Sequence, residues 1–236
     1  MHPTEIPDSI VRRVVKMRGR LHPFDAIDVR RTALIVVDMQ RFFLLPEKGN
    51  IARARDIVPN VNRLANAMRT VGCPVIYTLH RVDEQSVSEM PAYYQHFFSS
   101  QYAQAAIAEL GPDSPDYGLW PALDVAPEDL QVSKTRFSAL IPGSSDLRAL
   151  LRERDVDTLV IVGTATNVCC ESTARDAMML GYKVFFVSDA TATHTDEEHI
   201  GTLTNLVSVF ADVRRTDEVL DLLGASSVVG RECSRV

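Results

Sequence analysis

Thr158-Leu159-Val160-Ile161-Val162-Gly163-Thr164-Ala165-Thr166-Asn167-Val168-Cys169-Cys170-Glu171-Ser172-Thr173-Ala174-Arg175-Asp176 is the stretch whose reading decides the fold. A β-branched run that breaks at glycine and then enters a helical pattern reads as strand, tight turn and helix. Both cysteines then fall in the first helical turn, roughly a hundred degrees apart around the axis. Free backbone N–H groups and the positive end of a helix dipole favour thiolate there, so a thiol pKa below the ~8.5 of free cysteine is expected. Helix geometry does not choose between Cys169 and Cys170, and buried cysteine is also an ordinary small core residue.

Working outward, residues 33–37 form a continuous apolar run ending at Asp38, as in a parallel strand buried on both faces. Apolar residues at helical spacing predict a helix over 58–71, closed by Gly72, and a strand follows at 74–79. Further strands are predicted at 130–133, 183–187 and 212–214, and helices at 144–154, 197–210 and 216–223, with the motif helix stopping at Gly181. Strands alternating with helices, joined by right-handed crossovers, imply an α/β fold. The expected architecture is a three-layer α/β/α sandwich around a doubly wound, mainly parallel, Rossmann-like sheet. Residues 1–31 read as an arm with a short helix over 9–17, residues 32–223 as the domain and residues 224–236 as a loose tail. Within the domain, residues 81–131 lack a clear strand until their end and gather Tyr93, Tyr94, Phe97, Phe98, Tyr102, Tyr117 and Trp120. They read as a lid-like insertion or a subunit interface.

The chain has 236 residues, 46% of them hydrophobic and 24% charged, which suits one domain with a large core. A net charge of −6 argues against nucleic acid or an anionic membrane surface as partner and favours a small molecule. Cysteines at 73, 169, 170 and 233 lack disulfide-framework spacing, from which a reducing, cytoplasmic setting is expected. No apolar stretch approaches the ~18 residues of a membrane span, and the first residues, with Glu5, Asp8 and Arg12, lack a signal-peptide core.

In open parallel sheets ligands sit at the carboxyl ends of the strands. Asp38, Lys134 and Cys169 all fall at such ends. Alone, the aspartate could be a cap and the lysine a surface residue. Together, a carboxylate, an ammonium and a thiol complement one another: a base for the thiol proton and a cation for both anions. The segments 33–40, 132–138 (Val132-Ser133-Lys134-Thr135-Arg136-Phe137-Ser138) and 163–177 resemble, in this order, the motifs of the isochorismatase-like cysteine hydrolases, and the resemblance spans about residues 32–215. It is closest in type to the N-carbamoylsarcosine and ureidoacrylate amidohydrolases. The resemblance implies that Cys169 is the nucleophile, Asp38 the base and later the acid, and Lys134 the residue that orients Asp38 and favours the thiolate. It also implies a cis peptide between Thr164 and Ala165, with the N–H groups of Ala165 and Cys169 forming an oxyanion hole. Cys170 then faces the core.

Two departures narrow the activity. True isochorismatases lack the cysteine. Nicotinamidases of this type carry an Asp-x-His metal motif, whereas here Asp56 is followed by Ile57 and Val58, so neither a metal nor a cofactor is expected. His194 and His199 lie off a common helical face and read as solvated or structural. Gln40, Phe42 and Phe43 follow the first strand closely enough to line a pocket, although core packing explains the phenylalanines equally. His80, His96, Tyr93, Tyr94 and Phe97 are further candidates for substrate contact. Glu171 and Arg175, at i and i+4, are expected to pair on the motif helix. The implied reaction is hydrolysis of a small linear amide, or of a carbamoyl or ureido compound, through a thioester with release of ammonia. Another small amide or ester on the same triad, or an inactive binding module, stays open. A homo-oligomer, dimer or tetramer, is expected, with the arm or the insertion at its interface.

Overall fold

In the computed structural model the backbone is described for residues 1–48, 51–97 and 99–233, and side chains through Gly224. Phe98, counted above among the insertion's aromatics, and residues 234–236 of the tail lie outside the described residues. The elements follow as α1 (Asp8–Arg18), β1 (Thr32–Val37), α2 (Arg41–Leu44), α3 (Val58–Thr70), β2 (Val75–His80), α4 (Glu84–Glu89), α5 (Pro91–His96), α6 (Ser100–Leu110), β3 (Leu130–Lys134), α7 (Leu147–Glu153), β4 (Thr158–Thr164), α8 (Glu171–Met179), β5 (Lys183–Ala192), α9 (Asp196–Val209), β6 (Asp212–Arg214) and α10 (Thr216–Cys233).

The six strands form one all-parallel sheet in the order β3-β2-β1-β4-β5-β6. Alternation along β1 divides the core. Leu34 and Val36 face one layer with α3 and α10, and Ala33, Ile35 and Val37 face the other with α1, α7, α8 and α9. The winding reverses between β1 and β4, so the crevice at their carboxyl ends is the natural ligand site of this topology.

That crevice depends on one close approach. Gly163, at φ +112°, pairs with Val37 on β1, and a Cβ there would fall 2.1 Å from the Val37 carbonyl oxygen. Gly163→Ala is therefore expected to cost about 3 kcal/mol or more, because backbone atoms must move apart. Gly181→Ala, where a Cβ meets nothing within 4 Å, is expected to cost only ~1 kcal/mol for its positive φ. Thermal melts of the two variants measure the difference.

Two features differ from the sequence reading. α10 runs on to Cys233, where a loose tail was expected from 224; once nucleated, a helix gains a hydrogen bond for each residue it adds, even where the apolar pattern lapses. β5 extends to Ala192 because Thr191 and Ala192 keep pairing with Gly163 and Thr164 after a bulge. The arm is packed on its own chain, with Val14 of α1 buried and Ile6 and Ile10 against the same core layer. The insertion folds as α4, α5 and α6, whose Tyr94, Ala106 and Leu110 cluster with Phe42 and Val82 beside the crevice.

Candidate active site

Asp38, directly after β1, has φ +49°, a left-handed conformation that aspartate tolerates better than most residues. The turn is held from both neighbouring strands. The Asp38 N–H donates to the Thr78 carbonyl at 3.1 Å, the Thr78 hydroxyl donates to Asp38 Oδ1 at 2.9 Å, and the Thr164 hydroxyl donates to the Asp38 carbonyl at 3.3 Å. Its Oδ2 lies 2.7 Å from Lys134 Nζ in an ion pair with both side chains fully buried. Lys134 ends β3, two strands away. It sits in register with His80, so its extended side chain crosses the end of β2 to reach Asp38. Nζ also donates to the Arg136 carbonyl at 3.0 Å and lies 3.5 Å from Cys169 Sγ.

Cys169 and Cys170 end a π-helical turn, Thr166–Cys170, entered through a cis peptide between Thr164 and Ala165 and followed by α8. It separates the two thiols. Cys169 Sγ faces Lys134, while Cys170 Sγ points back at the Val162 carbonyl, 4.0 Å away in the core. The expected lowering of the Cys169 pKa is not found. Burial pushes it up, and although Lys134 favours the thiolate, Asp38 opposes it as a neighbouring anion and as hydrogen-bond partner of the thiol. Desolvation of the buried sulfur outweighs the helix start. Burial and the neighbouring carboxylate thus favour the thiol over the thiolate at Cys169. For Lys134, burial favours the neutral amine, but the Asp38 carboxylate opposes it as charge and as hydrogen-bond partner, and the ammonium is held above its ordinary range.

Above the thiol lies a cavity of about 270 Å³. Ala165 and Cys169 contribute to its lining, as do five of the candidate pocket residues, Phe42, Phe43, His80, Tyr93 and Tyr94. Gln40 is not among the lining residues. It is fully buried as a brace, its amide donating to the Tyr117 and His80 carbonyls at 2.8 and 3.2 Å and its oxygen accepting the His80 N–H at 2.7 Å. Phe97 is 76% exposed and, like the exposed His96, is not among the lining residues; it follows the last turn of α5 with its ring stacked on Tyr93 at 6.0 Å, and of this helix only Tyr93 and Tyr94 reach the cavity. Short helices in an irregular insertion leave that choice to packing. Phe137 and the exposed His194 also line the cavity, and periodicity carried no signal for either. Glu171 and Arg175 pair at 2.6 Å, and Glu171 also accepts the Thr202 hydroxyl. Among the described residues, no group of three or more His, Cys, Asp or Glu side chains is placed to hold a metal ion.

A support for this π-helical turn comes from the arm. The buried His2 ring stacks on His199 at 4.6 Å, its Nδ1 meets the Asp196 carboxylate at 2.7 Å, and its Nε2 accepts the Thr193 N–H at 3.1 Å. Thr193 in turn donates to Asn167 Oδ1 at 2.5 Å, and His199 Nδ1 meets the Thr166 hydroxyl at 3.0 Å. Partners this far apart in sequence left no local pattern to read. His2→Ala is expected to destabilise the fold by about 1–3 kcal/mol by stranding buried polar partners. Burial, with His2 beside it, holds the His199 pKa down to about 4, below its ordinary 6.5. The unfolded chain therefore takes up this proton first, and stability should fall as pH drops from 6.5 toward 4. Melts across that range are expected to show a shallower decline in His199→Gln.

A sequence-family model of the isochorismatase domain matches residues 32–218. The isochorismatase family protein YwoC of Bacillus subtilis is 31% identical over 195 residues, 83% of this chain and 95% of its own length. The ureidoacrylate amidohydrolase RutB of Caulobacter segnis is 32% identical over 178 residues, 70% of this chain and 74% of its own. The crystal structure of a cysteine hydrolase from Pseudomonas syringae pv. phaseolicola superposes with a TM-score of 0.73 at 30% identity, covering 87% of this chain and 98% of that one.

Proposed function

The chain belongs to the isochorismatase-like hydrolase family, and from that premise we propose that it hydrolyses a small linear amide or carbamoyl compound through a thioester on Cys169, releasing ammonia. The observation that carries this reading is the buried contact set in which Lys134 Nζ lies 2.7 Å from Asp38 and 3.5 Å from the Sγ of Cys169, the member of the set that lines the cavity. Asp38 takes the thiol proton as Sγ attacks the carbonyl carbon, so the thiolate forms only as it reacts. Lys134 stays protonated and offsets the negative charge shared between carboxylate and sulfur. The N–H groups of Ala165 and Cys169 are assigned to the oxyanion. Asp38 then returns its proton to the leaving nitrogen, the C–N bond breaks, and ammonia departs. In the second half Asp38 deprotonates water, the resulting oxygen attacks the thioester, and the proton goes back to sulfur as the acid leaves.

Ammonia release from a panel of primary amides and carbamoyl compounds, with rapid acid quench and mass spectrometry of the peptide containing Cys169, tests this reading. An acyl mass on Cys169 during turnover is expected. Turnover with no such adduct under any quench, or no ammonia from any member, would count against it. Phe97, exposed on the insertion, is assigned to a homo-oligomeric contact. A light-scattering mass near the 26.2 kDa of one chain at full activity would remove that assignment.

A further inference from the structure

Apart from Cys169, His80, His194 and the tyrosine hydroxyls, the cavity is lined by apolar groups. Phe43, Val82, Tyr93, Leu110, Phe137 and Val168 surround the space above Cys169, and no Lys, Arg, Asp or Glu occurs among the described residues that line it. The neighbouring charges are already paired. Lys134 and Asp38 hold each other at 2.7 Å, and the Arg136 guanidinium meets Glu89 at 2.6 Å and donates to the Thr135 carbonyl at 3.1 Å. Buried beside Lys134, His80 is held neutral, and the other lining imidazole, His194, is exposed. A carboxylate entering this space would lose its hydration without meeting a cation, which is among the most penalised forms of burial.

A hydrocarbon group meets the opposite situation. Tyr93 stands edge to face with Phe137 at 5.2 Å and with Tyr94 at 5.0 Å, so another ring can extend an array whose geometry already suits aromatic packing. A volume of about 270 Å³ falls just below the ~300–1,000 Å³ usual for ligand pockets and leaves room for one ring or a branched chain beside the carboxamide. We propose that the site takes an uncharged primary amide with a compact hydrocarbon acyl group, a single aromatic ring or a branched aliphatic chain, and discriminates against ureido acids and other amides that carry a free carboxylate. The proposal rests on the hydrolase reading above and narrows it. The carboxamide is the only polar part of such a molecule, so the apolar lining orients it with its carbonyl carbon toward Sγ, behind which the Lys134–Asp38 pair lies.

Two measurements test the proposal separately from the chemistry. The first compares kcat/KM for benzamide, phenylacetamide and isobutyramide with that for 4-carbamoylbenzoate, succinamate and N-carbamoylglycine, with nicotinamide alongside. The best uncharged hydrocarbon amide is expected to exceed the best carboxylate-bearing one by roughly 10²-fold or more, since a buried site that cannot pair a polar group rejects it strongly. Nicotinamide should do no better than benzamide. Equal or faster turnover of the anionic amides, or a clear preference for nicotinamide, would overturn the substrate class while leaving the hydrolase reading intact. The second measures equilibrium binding to Cys169→Ala by ligand-observed NMR, where benzamide should bind at least roughly 10-fold tighter than 4-carbamoylbenzoate. That order without ammonia release by the unaltered protein would uphold the proposed preference and sink the hydrolase reading. Absent benzamide binding, or anionic binding of equal strength, would sink the proposal.

Discussion

Cys169→Ala is expected to reduce ammonia release by roughly 10⁴-fold or more, because loss of the nucleophile closes the thioester route and leaves only positioning and the oxyanion donors. Cys170→Ala is expected to retain a substantial part of the activity. Its sulfur lies against the Val162 carbonyl in the core layer, with no contact to Lys134 or Asp38 at hydrogen-bonding distance. The two thiols are chain neighbours with the same chemistry, so their difference rests wholly on direction. Brief treatment with iodoacetamide followed by peptide mapping should find the label on Cys169 first, at the floor of the cavity. Preferential labelling of Cys170, with activity lost in step, would reverse the assignment.

Asp38→Asn is expected to slow turnover by about 10²–10⁴-fold, as an amide neither takes the thiol proton nor returns one to the leaving nitrogen. The variant also separates two roles that a slower rate alone would merge. Asp38 raises the Cys169 pKa and Lys134 lowers it. Removing the carboxylate's charge should therefore move alkylation of Cys169 to lower pH even as hydrolysis is lost, and Lys134→Ala should move it to higher pH. A thiol that alkylates more readily in a protein that turns over more slowly would show that the aspartate is needed to move the proton, and that ionising the sulfur is not sufficient. An unchanged alkylation profile in both variants would remove the pair from the site. Asp38→Asn breaks a fully buried ion pair and should lower stability by about 3–5 kcal/mol, so rates are to be compared well below the melting transition.

The order of strands and helices was legible in the sequence because β-branched runs such as 158–162 and the helical spacing of Val58, Val61, Leu64, Ala65 and Met68 bury the same residues that their patterns mark. The placement of Asp38, Lys134 and Cys169 at strand ends was legible for a related reason. In a parallel sheet the carboxyl ends of all strands share one edge, so sequence position already gives spatial position.

What the sequence alone determined is thus the layered α/β architecture and the edge where these three residues meet. Only the tertiary structure decided which way each side chain turns and what surrounds it: Cys169 to the cavity and Cys170 to the core, Gln40 to a backbone brace, Phe97 to solvent, and His2 of the arm in support of the π-helical turn. The thiol's protonation belongs to this second group. A helix start and a neighbouring lysine favour the thiolate, but the opposing desolvation depends on how completely the folded chain closes around the sulfur. That closure is a sum over residues distant in sequence, and no local pattern contains it.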